Sequence, residues 1–129
     1  MGEETGQRKI LIVDDEAAVR RTLERIVNKV QRKCMLASSA EEARSMLKEE
    51  VFDLILCDIR LPGESGLELI THTLSEYPQT AVIMVSGVED PEVAKKALDM
   101  GAYGYIIKPF RPDELVSIVE EFLRTVEEG

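Results

Sequence analysis

The chain has 129 residues, 44% hydrophobic and 32% charged, with a formal net charge of −9 at pH 7. That length supports one domain with a core of its own, not two ordinary ones. The acidic balance argues against nonspecific binding to nucleic acid or anionic membrane, and no apolar stretch nears the roughly 20 residues needed to span a bilayer.

Residues 1–8 start with a polar, acidic segment unlike a signal peptide and are expected to be a flexible leader to a domain over 9–127. Ile10-Leu11-Ile12-Val13 predicts a first strand that ends at Asp14 and Asp15. Val19, Leu23, Ile26, Val27 and Val30 then form one helical stripe, with Arg20, Arg21, Glu24 and Arg25 mostly outside it. Cys34-Met35-Leu36-Ala37 predicts a weaker second strand, suited to a sheet edge. Ser39-Ala40-Glu41-Glu42 has the spacing of a capping box and opens a helix with Ala43, Met46 and Leu47 inward. A third strand is expected from Val51 to Cys57, ending at Asp58.

Leu61-Pro62-Gly63-Glu64-Ser65-Gly66 predicts a loop, followed by a helix with Leu67, Ile70 and Leu74 inward that stops at Tyr77-Pro78. Thr80 to Val85 predicts the fourth strand, ending at Ser86. Asp90-Pro91 marks a helix start, and that helix offers Val93, Ala94, Ala97 and Leu98 before Gly101. Ala102 to Ile107 predicts the fifth strand, ending at Lys108. Pro112 opens the last helix, whose stripe is Leu115, Val119, Phe122, Leu123 and Val126.

Apolar runs that alternate with helical stripes read as a parallel sheet covered on both faces by right-handed crossovers. In such doubly wound α/β sheets, ligands bind beyond the carboxyl ends of the strands, where strand order reverses. On that rule Asp14, Asp15, Asp58, Ser86 and Lys108 converge at one rim. Carboxylates about 4 Å apart repel by on the order of 4 kcal/mol per pair at an effective dielectric near 20, so a proton or a cation must intervene. Oxygen ligands without histidine or thiolate select a hard divalent ion, Mg²⁺ or Mn²⁺. Such an ion would support attack by a carboxylate on a phosphoryl group, with Lys108 and Ser86 contacting phosphoryl oxygens and Asp58 accepting in line.

Each residue alone has a structural reading. Asp15 before Glu16 suits a helix N-terminus, Asp58 before Pro-Gly suits a turn, and Lys108 suits a solvated surface. Joint placement at four strand ends favours the site. Cys57 adjoins Asp58, but strand alternation turns it to the opposite face, into the core. Cys34 and Cys57 have no metal or redox spacing, and unpaired thiols suit a reducing cytosol. His72 belongs to no donor motif and is expected to face solvent. Glu120-Glu121 and Glu127-Glu128 read as a solvated helix face.

Four motifs, in order, carry a resemblance. They are Ile12-Val13-Asp14-Asp15-Glu16, Asp58-Ile59-Arg60-Leu61-Pro62-Gly63, Val85-Ser86-Gly87, and the segment Gly101-Ala102-Tyr103-Gly104-Tyr105-Ile106-Ile107-Lys108-Pro109-Phe110. With them the chain resembles the receiver domain of two-component response regulators from about Lys9 to Val126. The resemblance implies a five-stranded parallel sheet in order 2-1-3-4-5 with five helices, a flavodoxin-like strand order. It implies that Asp58 accepts phosphate from a histidine kinase or phosphotransfer protein. Asp14, Asp15, Asp58 and the backbone carbonyl of Arg60 would hold Mg²⁺, and Ser86 and Tyr105 would form a switch pair. Lys108-Pro109 would be a cis peptide.

Arg60, two residues past the acceptor, and Val88, two past Ser86, are the positions that in the family tune phosphate release; Val88 cannot hydrogen-bond an attacking water. The expected output is a downstream domain or protein, with a homodimer through the fourth helix, fifth strand and fifth helix as one form. Tyr103-Gly104 replaces the acidic pair of one large DNA-binding subclass, which argues against that subclass's charge-paired dimer. The expected module modifies itself, is cytoplasmic, and binds neither nucleic acid nor membrane directly. Two rivals stand beside it. An aspartyl-phosphate phosphatase would want a carboxylate where Arg60 stands. A binding module of the same fold would signal without phosphate; a flavin-binding one would want a phosphate loop where Asp14-Asp15-Glu16 stands.

Overall fold

A strand buried on both faces sends alternate side chains to opposite layers, and this divides the core in two. The computed structural model describes residues 9–29, 33–87 and 91–128, with side chains as far as residue 125. Along β1 (Lys9–Val13), Ile10 and Ile12 join one buried cluster while Leu11 and Val13 join the other. The remaining elements are α1 (Ala17–Lys29), β2 (Lys33–Ala37), α2 (Ala40–Glu49), β3 (Leu54–Cys57), α3 (Gly66–Glu76), β4 (Ala81–Ser86), α4 (Pro91–Asp99), β5 (Gly104–Ile107) and α5 (Pro112–Glu128). The first cluster holds Ala43 and Leu47 of α2, Leu69 and Ile70 of α3, and Ala97 of α4. The second holds Leu23, Ile26 and Val27 of α1 with Leu115, Val119, Phe122 and Leu123 of α5. Helices therefore cover both faces, and the strands pair in parallel in the expected order β2-β1-β3-β4-β5.

Several expected boundaries shift. β3 begins at Leu54, because the chain turns before it: Val51 is 65% exposed, while Phe52 is buried with its carbonyl capped by the Thr80 hydroxyl at 2.7 Å. Asp53 instead folds against β1, its carboxylate accepting the Lys9 N–H at 2.9 Å. Thr80 is buried but precedes β4, which runs through Ser86. β5 begins at Gly104, since Gly101 and Ala102 are used in closing α4. The N–H groups of Gly101 and Ala102 bond the carbonyls of Leu98 and Ala97, a Schellman ending made possible by the positive φ of Gly101 (117°). Leu98 is exposed, correcting its inward assignment: the row facing the sheet is Val93 to Ala97, and the next residue lies about 100° around the helix.

Ser39 caps α2 by accepting the Glu42 N–H at 3.1 Å, but no complete box forms. The Glu42 carboxylate turns to Ser38 instead, accepting from its N–H at 2.8 Å and its hydroxyl at 3.0 Å. A complete box occurs at Ser65 and Glu68, where the sequence reading placed only a loop. On α3, Leu69 and Thr73 are buried and Leu67 and Leu74 only half-buried, a slight rotation from the expected stripe. Met46 is likewise half-buried. His72 is half-buried edge-on against Tyr77, with 5.9 Å between ring centroids, and does not simply face solvent. The expectations on residues 1–8, Val30, Val88 and Asp90, and on the side chain of Val126, lie outside the described residues. Among the described residues, no helix is long and apolar enough to cross a membrane.

Candidate functional site

Register alone brings the first two carboxylates together. β1 and β3 are neighbours, Val13 pairs with Cys57, and the ladder continues with the Asp58 N–H donating to the Val13 carbonyl at 3.0 Å. Asp14 and Asp58 therefore leave adjacent strands side by side. Each also lies two residues beyond a side chain of the α1–α5 layer, Ile12 and Leu56, so both fall on that side of the sheet. Lys108 follows Ile106 by the same step at the end of β5. Its long stem reaches across β4, and Nζ donates to Asp58 Oδ2 at 2.9 Å and Asp14 Oδ2 at 3.0 Å. The Lys108 N–H is held by the Ser86 carbonyl at 2.9 Å, and the following Lys108-Pro109 bond is cis, as the resemblance implied.

The other oxygens of both carboxylates are also held. Asp14 Oδ1 accepts the Glu16 N–H at 2.9 Å, and Asp58 Oδ1 accepts the Arg60 N–H at 3.0 Å. Asp14 is 1% exposed and Asp58 6%, whereas Asp15 is exposed. One oxygen from each of the three aspartates lies within 4.8 Å of the other two. These three carboxylates and one ammonium carry a formal charge of −2, and Glu16 adds another carboxylate 3.7 Å from Lys108 Nζ. A hard cation fits this donor set: all ligands are oxygens, and the Asp15 side is open for water. The site lies in an open cleft of about 560 Å³ lined by Asp15, Glu16, Asp58, Arg60, Ser86, Gly87 and Lys108.

Burial pushes the Asp14 carboxyl above the ordinary carboxylate range; the Glu16 N–H and Lys108 only partly oppose it. For Lys108, burial disfavours the charge, but the hydrogen bonds to Asp58 and Asp14 outweigh it and hold the ammonium above its usual range. Cys57 is buried in the opposite core cluster, as alternation required, and burial pushes its thiol up. Burial and the nearby Glu24 push Cys34 to about 12, so both thiols are poor nucleophiles.

Ser86 is fully buried and lines the cleft. Tyr105 is half-buried on β5 against the α2–α4 layer. Met84 pairs with Tyr105, so Ser86, two residues on, projects to the same side of the sheet as the ring.

Three contributors were missed by sequence reasoning. Arg20 was placed outside the helical stripe, yet its Nη1 donates to the Asp14 backbone carbonyl at 2.7 Å and fixes the peptide that leads into Asp15. A six-residue separation gives no sequence signal for that contact. Glu16 was legible as part of the acidic run but was not singled out. Gly66 is packed against Asp58: a Cβ there would overlap the Asp58 carbonyl oxygen and lie 2.7 Å from Ile59 Cα. The Gly66 N–H also donates to the Ile59 carbonyl at 2.7 Å, closing the loop that leaves β3.

With that geometry established, comparison with known proteins is specific. The family model of the response regulator receiver domain matches residues 10–120. Response regulator protein PilR of Pseudomonas aeruginosa is 37% identical over 118 residues, covering 92% of this chain and 26% of PilR. The DNA-binding transcriptional regulator NtrC of Escherichia coli is 33% identical over 123 residues, covering 95% of this chain and 26% of NtrC. The chain thus spans about a quarter of the length of the curated relatives it matches. A CheY-like response regulator receiver domain protein from Methanospirillum hungatei superposes with a TM-score of 0.89 at 33% identity, covering 95% of this chain and 99% of that one.

Two outcomes follow from the packing and charge at the rim. Gly66→Ala should destabilise the fold by about 3 kcal/mol, the upper end for overpacking, because the obstacle is backbone that cannot rotate away; urea denaturation measures this, and an unchanged midpoint would refute it. Asp14 has its pKa raised by folding, so stability present below its unfolded-state pKa is lost as pH rises through the folded-state pKa. In EDTA, the Tm of Asp14→Asn relative to wild type should therefore rise as pH is raised from about 4; thermal unfolding across pH measures this, and a difference that does not grow with pH would refute it.

Proposed function

The chain belongs to the response regulator receiver family, and from that premise we propose that Asp58 accepts a phosphoryl group from the phosphohistidine of a histidine kinase or phosphotransfer protein. The observation that carries this reading is the Lys108 ammonium bonded at once to Asp58 and Asp14, beside an exposed Asp15 in an open cleft. An Asp58 carboxylate oxygen attacks phosphorus, a P–O bond forms, and the P–N bond to the donor imidazole breaks as that ring leaves. The Arg60 N–H holds the second Asp58 oxygen and so orients the nucleophile. Lys108, already at bonding distance from the carboxylate, shifts onto a phosphoryl oxygen as the charge moves outward.

Asp14, Asp15, Asp58 and the Arg60 carbonyl are the residues that would hold Mg²⁺, or Mn²⁺ in its place; when bound, such an ion neutralises phosphoryl charge. Ser86 would donate its hydroxyl to the phosphoryl group, and Tyr105, on the same side of the sheet, would turn inward behind it. That movement would bias the surface of α4, β5 and α5 for a downstream output domain or protein, with a homodimer across that surface as one form. The module acts on itself and has no foreign substrate to turn over. Its chemistry and its two unpaired, poorly reactive thiols suit the cytoplasm.

Incubation with acetyl phosphate and Mg²⁺, read by intact mass, should add one phosphoryl group. The gain should disappear in Asp58→Ala and in EDTA; a wild-type protein that stays unmodified would count against the reading. Val88 and Arg60 are proposed to favour a long-lived phosphorylated state, since Val88 offers no hydrogen bond to an attacking water. Phosphate release should accelerate in Val88→Glu, and an equal or slower rate would remove this role.

A further inference from the structure

An element that contributes no residue to the acidic cluster is tied to the loop that leaves the acceptor. Arg44 of α2 directs Nε at the two carboxylate oxygens of Glu64, at 2.7 and 2.8 Å, and its Nη2 also donates to Glu64 Oε2. The planar fork matches a carboxylate, a geometry that fixes orientation as well as distance. Both side chains are partly sheltered, Arg44 at 34% and Glu64 at 20% exposure, and the Arg44 bonds hold the Glu64 carboxyl below its ordinary range.

Glu64 belongs to the arc between β3 and α3. Its base is closed by the Gly66 N–H on the Ile59 carbonyl, and Asp58 and Arg60 lie at that base. Beyond Arg60 the arc turns through Gly63 at φ 75°, with open space where a Cβ would be. Leu61, packed on the first core cluster, and Glu64, held by Arg44, tie this outer arm to the body, and Ser65 joins its far end to α3 through the capping box. The arm is thus anchored on both sides of a permissive glycine.

We propose that Arg44, acting through Glu64, is a positioning residue that holds the β3–α3 arc so that the Arg60 carbonyl and the Asp58 carboxylate are preset for a divalent cation. This rests on the phosphoacceptor reading, which makes the Arg60 carbonyl a ligand. Without the pair, the arm samples positions in which that carbonyl is misdirected. Ordering it on each binding event lowers apparent affinity in proportion to the competent fraction.

The charge sign makes the idea testable. Removing a cation near an anionic site should, through long-range electrostatics alone, tighten a divalent ion. The positioning role predicts the opposite. Mn²⁺ affinity of the whole chain can be measured by water-proton relaxation in wild type, Arg44→Ala, Glu64→Ala, the double alanine variant, and Asp15→Asn. Urea denaturation in EDTA checks that each variant is native under assay conditions.

Arg44→Ala should bind Mn²⁺ roughly three- to fivefold more weakly, the range open to a partly exposed bidentate pair. Glu64→Ala should match it, and the double variant should be no weaker than either single, because the two act as one unit. Unchanged or tighter binding in Arg44→Ala, or additive losses in the double variant, would overturn the proposal while leaving the metal site standing. A wild type that binds no Mn²⁺, or an Asp15→Asn that binds as well as wild type, would overturn the phosphoacceptor reading and this role with it.

Discussion

Lys108 bonded simultaneously to Asp14 and Asp58 is the interaction on which the rest of this structure turns. One ammonium on a rim carrying several carboxylates leaves the site electrically unfinished. At about 3 Å and an effective dielectric near 20, each contact with Lys108 is worth on the order of 5 kcal/mol before desolvation. Those contacts do not fully offset the burial of Asp14, whose carboxyl remains above its ordinary range. Stability alone does not call for this arrangement, since a buried ion pair is often matched by apolar packing. The excess negative charge instead lies beside the exposed Asp15, where a cation would balance it.

The sheet does most of the positioning. Adjacent, in-register strands deliver Asp14 and Asp58, while β4 separates β5 from them and only a side chain as long as lysine bridges that gap. The backbone completes the job, with N–H groups of Glu16 and Arg60 each holding an oxygen. Gly66 allows α3 to start directly against the Asp58 carbonyl, and Arg20 fixes the peptide that carries Asp15. The backbone contacts from Glu16 and Arg60 preset the orientation of both carboxylates. The same register places Ser86, which lines the cleft, and Tyr105 on one side of the sheet on neighbouring strands.

The architecture and the acidic centre could be read from the chain because they depend on local, periodic signals. Buried strands need unbroken apolar runs, helices need stripes, and strand ends in such a sheet converge by topology. Hence Asp14, Asp15, Asp58, Ser86 and Lys108 were legible without coordinates. Boundaries were less so. The apolar Val51 and Phe52 looked like strand, but a turn secured by Thr80 and Asp53 takes them out of the ladder. Leu98 looked inward, yet a single residue's rotation on a short helix turned it to the surface.

Tertiary structure alone decided the contacts between residues distant in sequence whose side chains carry no distinguishing pattern. Arg44 and Glu64 look like any two surface charges until α2 and the β3–α3 arc are set beside each other. Glu42 could have closed a box on Ser39 but instead accepts from the N–H and the hydroxyl of Ser38. Gly66 looked like an ordinary loop glycine, and only the packed backbone reveals that no side chain fits there. Periodicity is written in neighbouring residues and so survives in one dimension; the meeting of two unpatterned groups depends on the path of the whole chain between them.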